Sequence, residues 1–79
     1  MKLEIITPEQ ILFTGEVTSV TLPGTKGSFT VLENHAPIIS SLMEGLIKYE
    51  EKGVHSEMIV HGGFVEVSRN VVSVCIELI

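Results

Sequence analysis

Apolar and polar residues alternate along much of this chain. Val65 and Val67 fall on one phase, with Glu66 and Ser68 on the other. Val72, Val74, Ile76 and Leu78 share a phase, and Ser73 and Glu77 lie opposite. Val20 and Leu22 alternate with Ser19 and Thr21. A two-residue period sends successive side chains to opposite faces of a strand, so these segments predict sheets with one face on a core. Turn formers punctuate the pattern at short intervals: Thr7-Pro8, Gly15, Pro23-Gly24, Gly27, Asn34 to Pro37, Glu44-Gly45, Lys52-Gly53, Gly62-Gly63 and Arg69-Asn70. Strands are predicted near 2–7, 10–16, 17–23, 28–32, 37–42, 46–51, 55–61, 63–68 and 71–78. No long window has a helical period. The expected fold is all-β: a flattened β-sandwich of about nine or ten short strands, with no helix beyond one or two turns and no C-terminal helical hairpin.

Composition narrows the functional classes. The 79 residues are read as a single domain, 1–79. A chain this short buries roughly 60–65% of the surface its unfolded form exposes. Hydrophobic residues make up 44% and charged residues only 19%, and the mean hydropathy is +0.43. That apolar surplus exceeds what a core this small needs, and part of it is expected to face a partner. The net charge of −5, with five cations spread along the chain, argues against nucleic acid and against direct binding to an anionic membrane surface. The single cysteine, Cys75, excludes an intrachain disulfide and suits a reducing compartment. No apolar run reaches a membrane span, and MKLEIITPEQ lacks the features of a signal peptide.

Catalytic and ligand-binding chemistry finds little support. His55 and His61 are the nearest histidine pair, six residues apart, which is about 20 Å in one extended strand and too far to share an ion. His35 stands alone in a turn. Cys75, between Val74 and Ile76, reads as an inert strand cysteine. Glu50-Glu51 reads as solvated charge before the Lys52-Gly53 turn. "PGTKG" (residues 23–27) fails as a phosphate loop, because Lys26 precedes Gly27 and a strand follows. No acid, base and nucleophile converge, so a binding module is favoured over an enzyme, and no cofactor is expected. A small all-β enzyme or carrier and a free-standing adaptor domain remain the alternatives.

The stretch "VTSVTLPGTKGSFTVLENHAPIISSLMEGLIKY" resembles the N-terminal β-sandwich of the epsilon subunit of F-type ATP synthases, the delta subunit of mitochondria. Its parts are Pro23-Gly24, Gly27, His35-Ala36-Pro37 and Gly45-Leu46-Ile47. "GGFVEVSRNVVSVCIE" and "TPEQILFTGEV" extend the resemblance over essentially the whole chain. The resemblance implies a non-catalytic rotor domain on the central stalk. Such a domain grips the gamma subunit and rests on the polar loops of the c ring. It would lie peripherally, through the complex, on the cytoplasmic side of a bacterial inner membrane. Carried over residue by residue, Thr25, Lys26, Gly27 and Ser28 match the turn facing the c ring. His35, Ala36, Pro37, Ile38 and Ser40 match the edge that approaches gamma, and Thr7 matches a position that also faces gamma. Ser40 is accordingly expected to be an exposed interface residue. His35-Ala36-Pro37 has a second reading, as a corner that serves the fold alone. Two departures stand out. Thr30 occupies a place where many members have glycine, which implies a less bulged strand. The chain stops at "CIELI", where longer members continue into a helical hairpin that carries ATP binding in some bacteria.

Overall fold

The computed structural model describes residues 1–77. Among them there is no helix, and nine strands follow one another: β1 (Lys2–Ile6), β2 (Ile11–Glu16), β3 (Ser19–Gly24), β4 (Gly27–Leu32), β5 (Ile38–Leu42), β6 (Gly45–Glu51), β7 (Val54–Val60), β8 (Gly63–Ser68) and β9 (Val71–Ile76). Each predicted segment is a strand, with bounds differing by a residue or two. The predicted final segment reached 78; β9 ends at Ile76, and Leu78 lies outside the described residues. The segments predicted to abut near 16–17 are separated by Val17 and Thr18. These two residues carry the chain from one sheet to the other, with the Val17 amide donating to the Met1 carbonyl and the Thr18 amide to that of Glu50.

The strand order is β2-β1-β9-β8-β5-β3-β6-β7, with β4 added beside β3. One link in this path is thin: β5 meets β3 through the single pair Gly24 and Leu42. It divides the structure into a five-stranded sheet, β2-β1-β9-β8-β5, and a four-stranded sheet, β4-β3-β6-β7. All pairings are antiparallel except β1 with β9. The inward phase of the first sheet supplies Leu3, Ile5, Val65, Val67, Val72, Val74 and Ile76. The second supplies Val20, Leu22, Val31, Ile47 and Val60 to the same cluster. Each such aliphatic side chain contributes on the order of 1.5–3 kcal/mol when fully buried. At one side of the sandwich, the Phe13 and Tyr49 rings close the gap between the sheets, tilted at 43° with centroids 4.6 Å apart.

Turn chemistry fixes the registers. Lys52 and Gly53 (φ 50° and 81°) join β6 to β7, and Arg69 and Asn70 (φ 53° and 62°) join β8 to β9. Two successive positive φ values match the twist of flanking strands in a two-residue hairpin. Gly63 has the strictest requirement: its φ is 139°, and an added Cβ would sit 2.2 Å from the Cys75 carbonyl oxygen.

Candidate protein-docking surfaces

Thr25, Lys26, Gly27 and Ser28 form the exposed tip of the β3–β4 hairpin. The tip is braced against β5: the Thr25 amide donates to the Ser41 carbonyl (3.0 Å), and the Thr25 and Ser41 hydroxyls are 2.7 Å apart. The Met43 amide donates to the Pro23 carbonyl (2.8 Å). Lys26 is thus an exposed cation on a turn held at its base. Thr30 pairs its hydroxyl with that of Thr21 across the strands at 2.8 Å. β4 runs beside β3 residue for residue, without a register shift.

His35, Ala36 and Pro37 are all exposed at the corner between β4 and β5. His35 Nδ1 lies 2.7 Å from the Ala36 carbonyl, to which it donates as the Nδ1–H tautomer, and the His35 amide donates to Leu32 (3.2 Å). Before it, Asn34 adopts a φ of 61° and donates its amide to Asn70 Oδ1 (2.8 Å). That bond ties the corner to the β8–β9 turn. The corner therefore serves the fold, and its surface is also free to meet a partner.

The registers place these two groups apart. Gly24 at the hairpin tip is in register with Leu42, and Leu42 with Gly63, at one end of the sandwich. Ile38, just after the corner, is in register with Val67 toward the other end. β5 runs between them. Thr7 follows β1 on the hairpin-tip side and is 7% exposed. Its hydroxyl accepts from the Glu9 and Gln10 amides (both 3.2 Å), closing the β1–β2 turn. Ile38 is half-buried and packs on the core. Ser40, expected to be exposed, is half-buried: it is in register with the buried Val65, on the inward phase of β5. The residue that projects outward there is Ile39, 77% exposed.

Ile39 belongs to a surface that the sequence reading did not assemble. Ile11, Ile6, Cys75, Phe64 and Ser41 are mutually in register across the outward face of the five-stranded sheet. The next row holds Thr14, Glu4, Ser73, Glu66 and Ile39. Ile11 is 63% and Phe64 55% exposed. Between Ile6, Phe64 and Cys75 lies an open hollow of about 240 Å³, flanked by Glu4, Glu66 and Ser73. The available signal was an apolar residue on the polar phase of its strand: Phe64 shares its phase with Glu66 and Ser68, and Ile6 shares its phase with Glu4.

The titratable groups do not converge on a catalytic geometry. His55 Nε2 lies 3.7 Å from Glu50, and His61 Nδ1 lies 3.0 Å from Glu44, in separate places. Among the described residues no group of three or more His, Cys, Asp or Glu is placed to hold a metal ion. Among them, too, no helix is long and apolar enough to cross a membrane.

The family described as "ATP synthase, Delta/Epsilon chain, beta-sandwich domain" matches residues 1–79. The chain belongs to that family. It is 42% identical over 73 residues to the ATP synthase epsilon chain of Pelotomaculum thermopropionicum, covering 92% of this chain and 54% of the relative. It is 39% identical over 74 residues to that of Leptospira interrogans, covering 94% and 58%. The chain thus spans little more than half the length of these curated relatives. In fold it is similar to a chain of the Euglena gracilis mitochondrial ATP synthase, in an assembly that includes the c ring. There the TM-score is 0.87 at 23% identity, over 94% of this chain and 48% of that one. A chain from the central stalk and c ring of the Tetrahymena thermophila enzyme gives 0.82 at 17% identity, over 98% and 63%. These two likenesses establish the sandwich fold.

Proposed function

We propose that this domain is a non-catalytic part of the ATP synthase rotor that joins the gamma subunit to the c ring. In this reading it transmits ring rotation to the stalk and lies peripherally on the cytoplasmic side of a bacterial inner membrane. The observation that carries the reading is the outward face of the five-stranded sheet. Isoleucines and a phenylalanine exposed at 55–77% on one contiguous face are the mark of a protein interface. This face is assigned to gamma, together with the exposed corner His35 to Pro37 at its end. The braced polar tip Thr25 to Ser28 is assigned to the c ring, whose loops are polar. The corner and the tip lie at opposite ends of β5, with the apolar face running from one toward the other as far as Ser41, so one rigid sandwich can hold both partners at once, which mechanical coupling requires. Family membership supports the same reading.

The test is affinity purification of the tagged full-length chain from detergent-solubilised membranes of its source. Gamma and the c ring are expected in stoichiometric amounts. Recovery of the chain free of both overturns the reading. Purified alone, the chain is expected to hydrolyse no ATP.

A further inference from the structure

The hollow on the outward face of the five-stranded sheet has a chemistry more specific than apolar area. Ile6, Cys75 and Phe64 line its floor and walls along one cross-strand row. Two residues along each strand, about 7 Å away, the next row reads Glu4, Ser73, Glu66. The two glutamates stand on either side of Ser73, so their backbones are about 10 Å apart, two strand spacings. Among the described residues neither takes part in an ion pair. Lys2, the lysine of this face, lies a further row from the hollow and is in register with Glu16. A partner that covered the face with apolar surface alone would strip water from two carboxylates and leave them unpaired, which is costly.

We infer that the face is built for a partner segment that presents a large apolar side chain to the hollow and, about 7 Å away, a lysine or arginine between Glu4 and Glu66. A cation there is within side-chain reach of both carboxylates, and arginine would add planar, two-pronged hydrogen bonding. The apolar anchor supplies most of the affinity; the carboxylates supply register and steer encounter. The inference rests on the proposal that gamma covers this face, and it specifies what gamma must bring. A second copy of this chain is a poor occupant, because it would set glutamates against glutamates.

The experiment measures binding of the full-length chain to the purified gamma subunit of the same source, at about 50 mM and about 500 mM salt, where screening lengths differ severalfold. Three forms are compared: the natural chain, the double variant Glu4→Gln with Glu66→Gln, and Phe64→Ala. Thermal melting is run beside binding, and all three should melt alike, since the substituted side chains lie on the outward face. The natural chain is expected to bind more weakly at high salt. The glutamine variant should bind about tenfold more weakly at low salt and lose most of its salt dependence. Phe64→Ala should bind about tenfold or more weakly at both salts. If the glutamine variant binds like the natural chain while Phe64→Ala is impaired, the cationic requirement is overturned and gamma docking stands. If the natural chain does not bind gamma at all, the functional reading beneath the inference falls. If instead the natural chain forms a dimer that the glutamine variant strengthens, the face belongs to a second copy and the inference is overturned.

Discussion

The outward faces of the two sheets obey the same alternation and end in different states. On the four-stranded sheet, outward positions are mostly polar and satisfy one another. Thr21 bonds Thr30, Lys48 is in register with Glu57, and Glu50 lies 3.7 Å from His55. The apolar pair Leu46 and Ile59, 40% and 61% exposed, interrupts that pattern at one end, and Leu32, 58% exposed, does so at the other. On the five-stranded sheet, outward positions at the centre are Ile6, Phe64 and Cys75, with Ile39 and Ile11 beyond them, and the flanking glutamates have no ion-pair partner among the described residues. One face is mostly closed by polar pairs of its own; the other, in the proposed reading, is closed by gamma. Strand pairing and core burial are comparable beneath both. The difference lies in which residues occupy the polar phase, and that is where function enters the sequence.

The comparison can be broken first from below. Ile5 is fully buried and lies one residue from the outward Ile6 on β1. Ile5→Ala should cost about 2–5 kcal/mol of stability. Phe64→Ala should cost within about 0.5 kcal/mol, as surface substitutions usually do. Urea melts of the two variants check this; equal losses would mean that the outer face supports the fold. Next comes Ser40→Trp. Because Ser40 sits half-buried on the inward phase, the substitution overpacks the sheet edge and should destabilise the free domain by about 1–3 kcal/mol, with any loss of gamma binding following from that. Ile39→Ser, one position along, should leave melting unchanged and weaken gamma binding. Lys26→Glu should move less: an exposed rim charge is worth about 1 kcal/mol or less, read as a weaker, salt-sensitive contact with isolated c rings and an unchanged melt.

The smallest effect is electrostatic and belongs to the Met1 end of the fold. The Met1 amine donates to Glu33 Oε1 at 3.0 Å and lies 3.6 Å from Glu16. Chiefly through the Glu33 bond, and despite an opposing desolvation, its pKa is held above the ordinary value of 8.0. A raised folded-state pKa contributes stability that is present below pH 8.0 and lost as pH rises through the folded value. The melting temperature should therefore sag slightly on the alkaline side of 8.0, and less so in Glu33→Gln. A pH series of thermal melts on both forms checks the sign.

Much of the architecture was legible because its signals are local. Alternation at Val65 to Ser68 and Val72 to Ile76, and turn pairs at Lys52-Gly53 and Arg69-Asn70, specify strands and hairpins without knowledge of the rest of the chain. The hairpin tip and the His35 corner were legible through a resemblance in motif order. The outward apolar face was not, because it is a property of register. Ile6, Phe64 and Ile39 come from three strands, and strand phase can mark Ile6 and Phe64 as outward apolar residues without showing that the three are neighbours. Only the pairings of β1 with β9, β9 with β8 and β8 with β5 put them side by side. Thr7, which the resemblance matches to a gamma-facing position, has its hydroxyl engaged by the amides of its own turn, and composition does not reveal that.

Cys75 offers a direct readout of the central claim, that gamma covers the outward face of the five-stranded sheet. It is the single cysteine of residues 1–79, half-buried beside Phe64 and Ile6. The measurement is the rate of Cys75 alkylation by a small iodoacetamide, read by mass spectrometry of its peptide, in the free full-length chain and in its complex with gamma. Slowing by about tenfold or more in the complex, with the free chain's rate restored on dissociation, is the predicted result. Equal rates in the free chain and in a demonstrably formed complex would place gamma elsewhere and contradict the account.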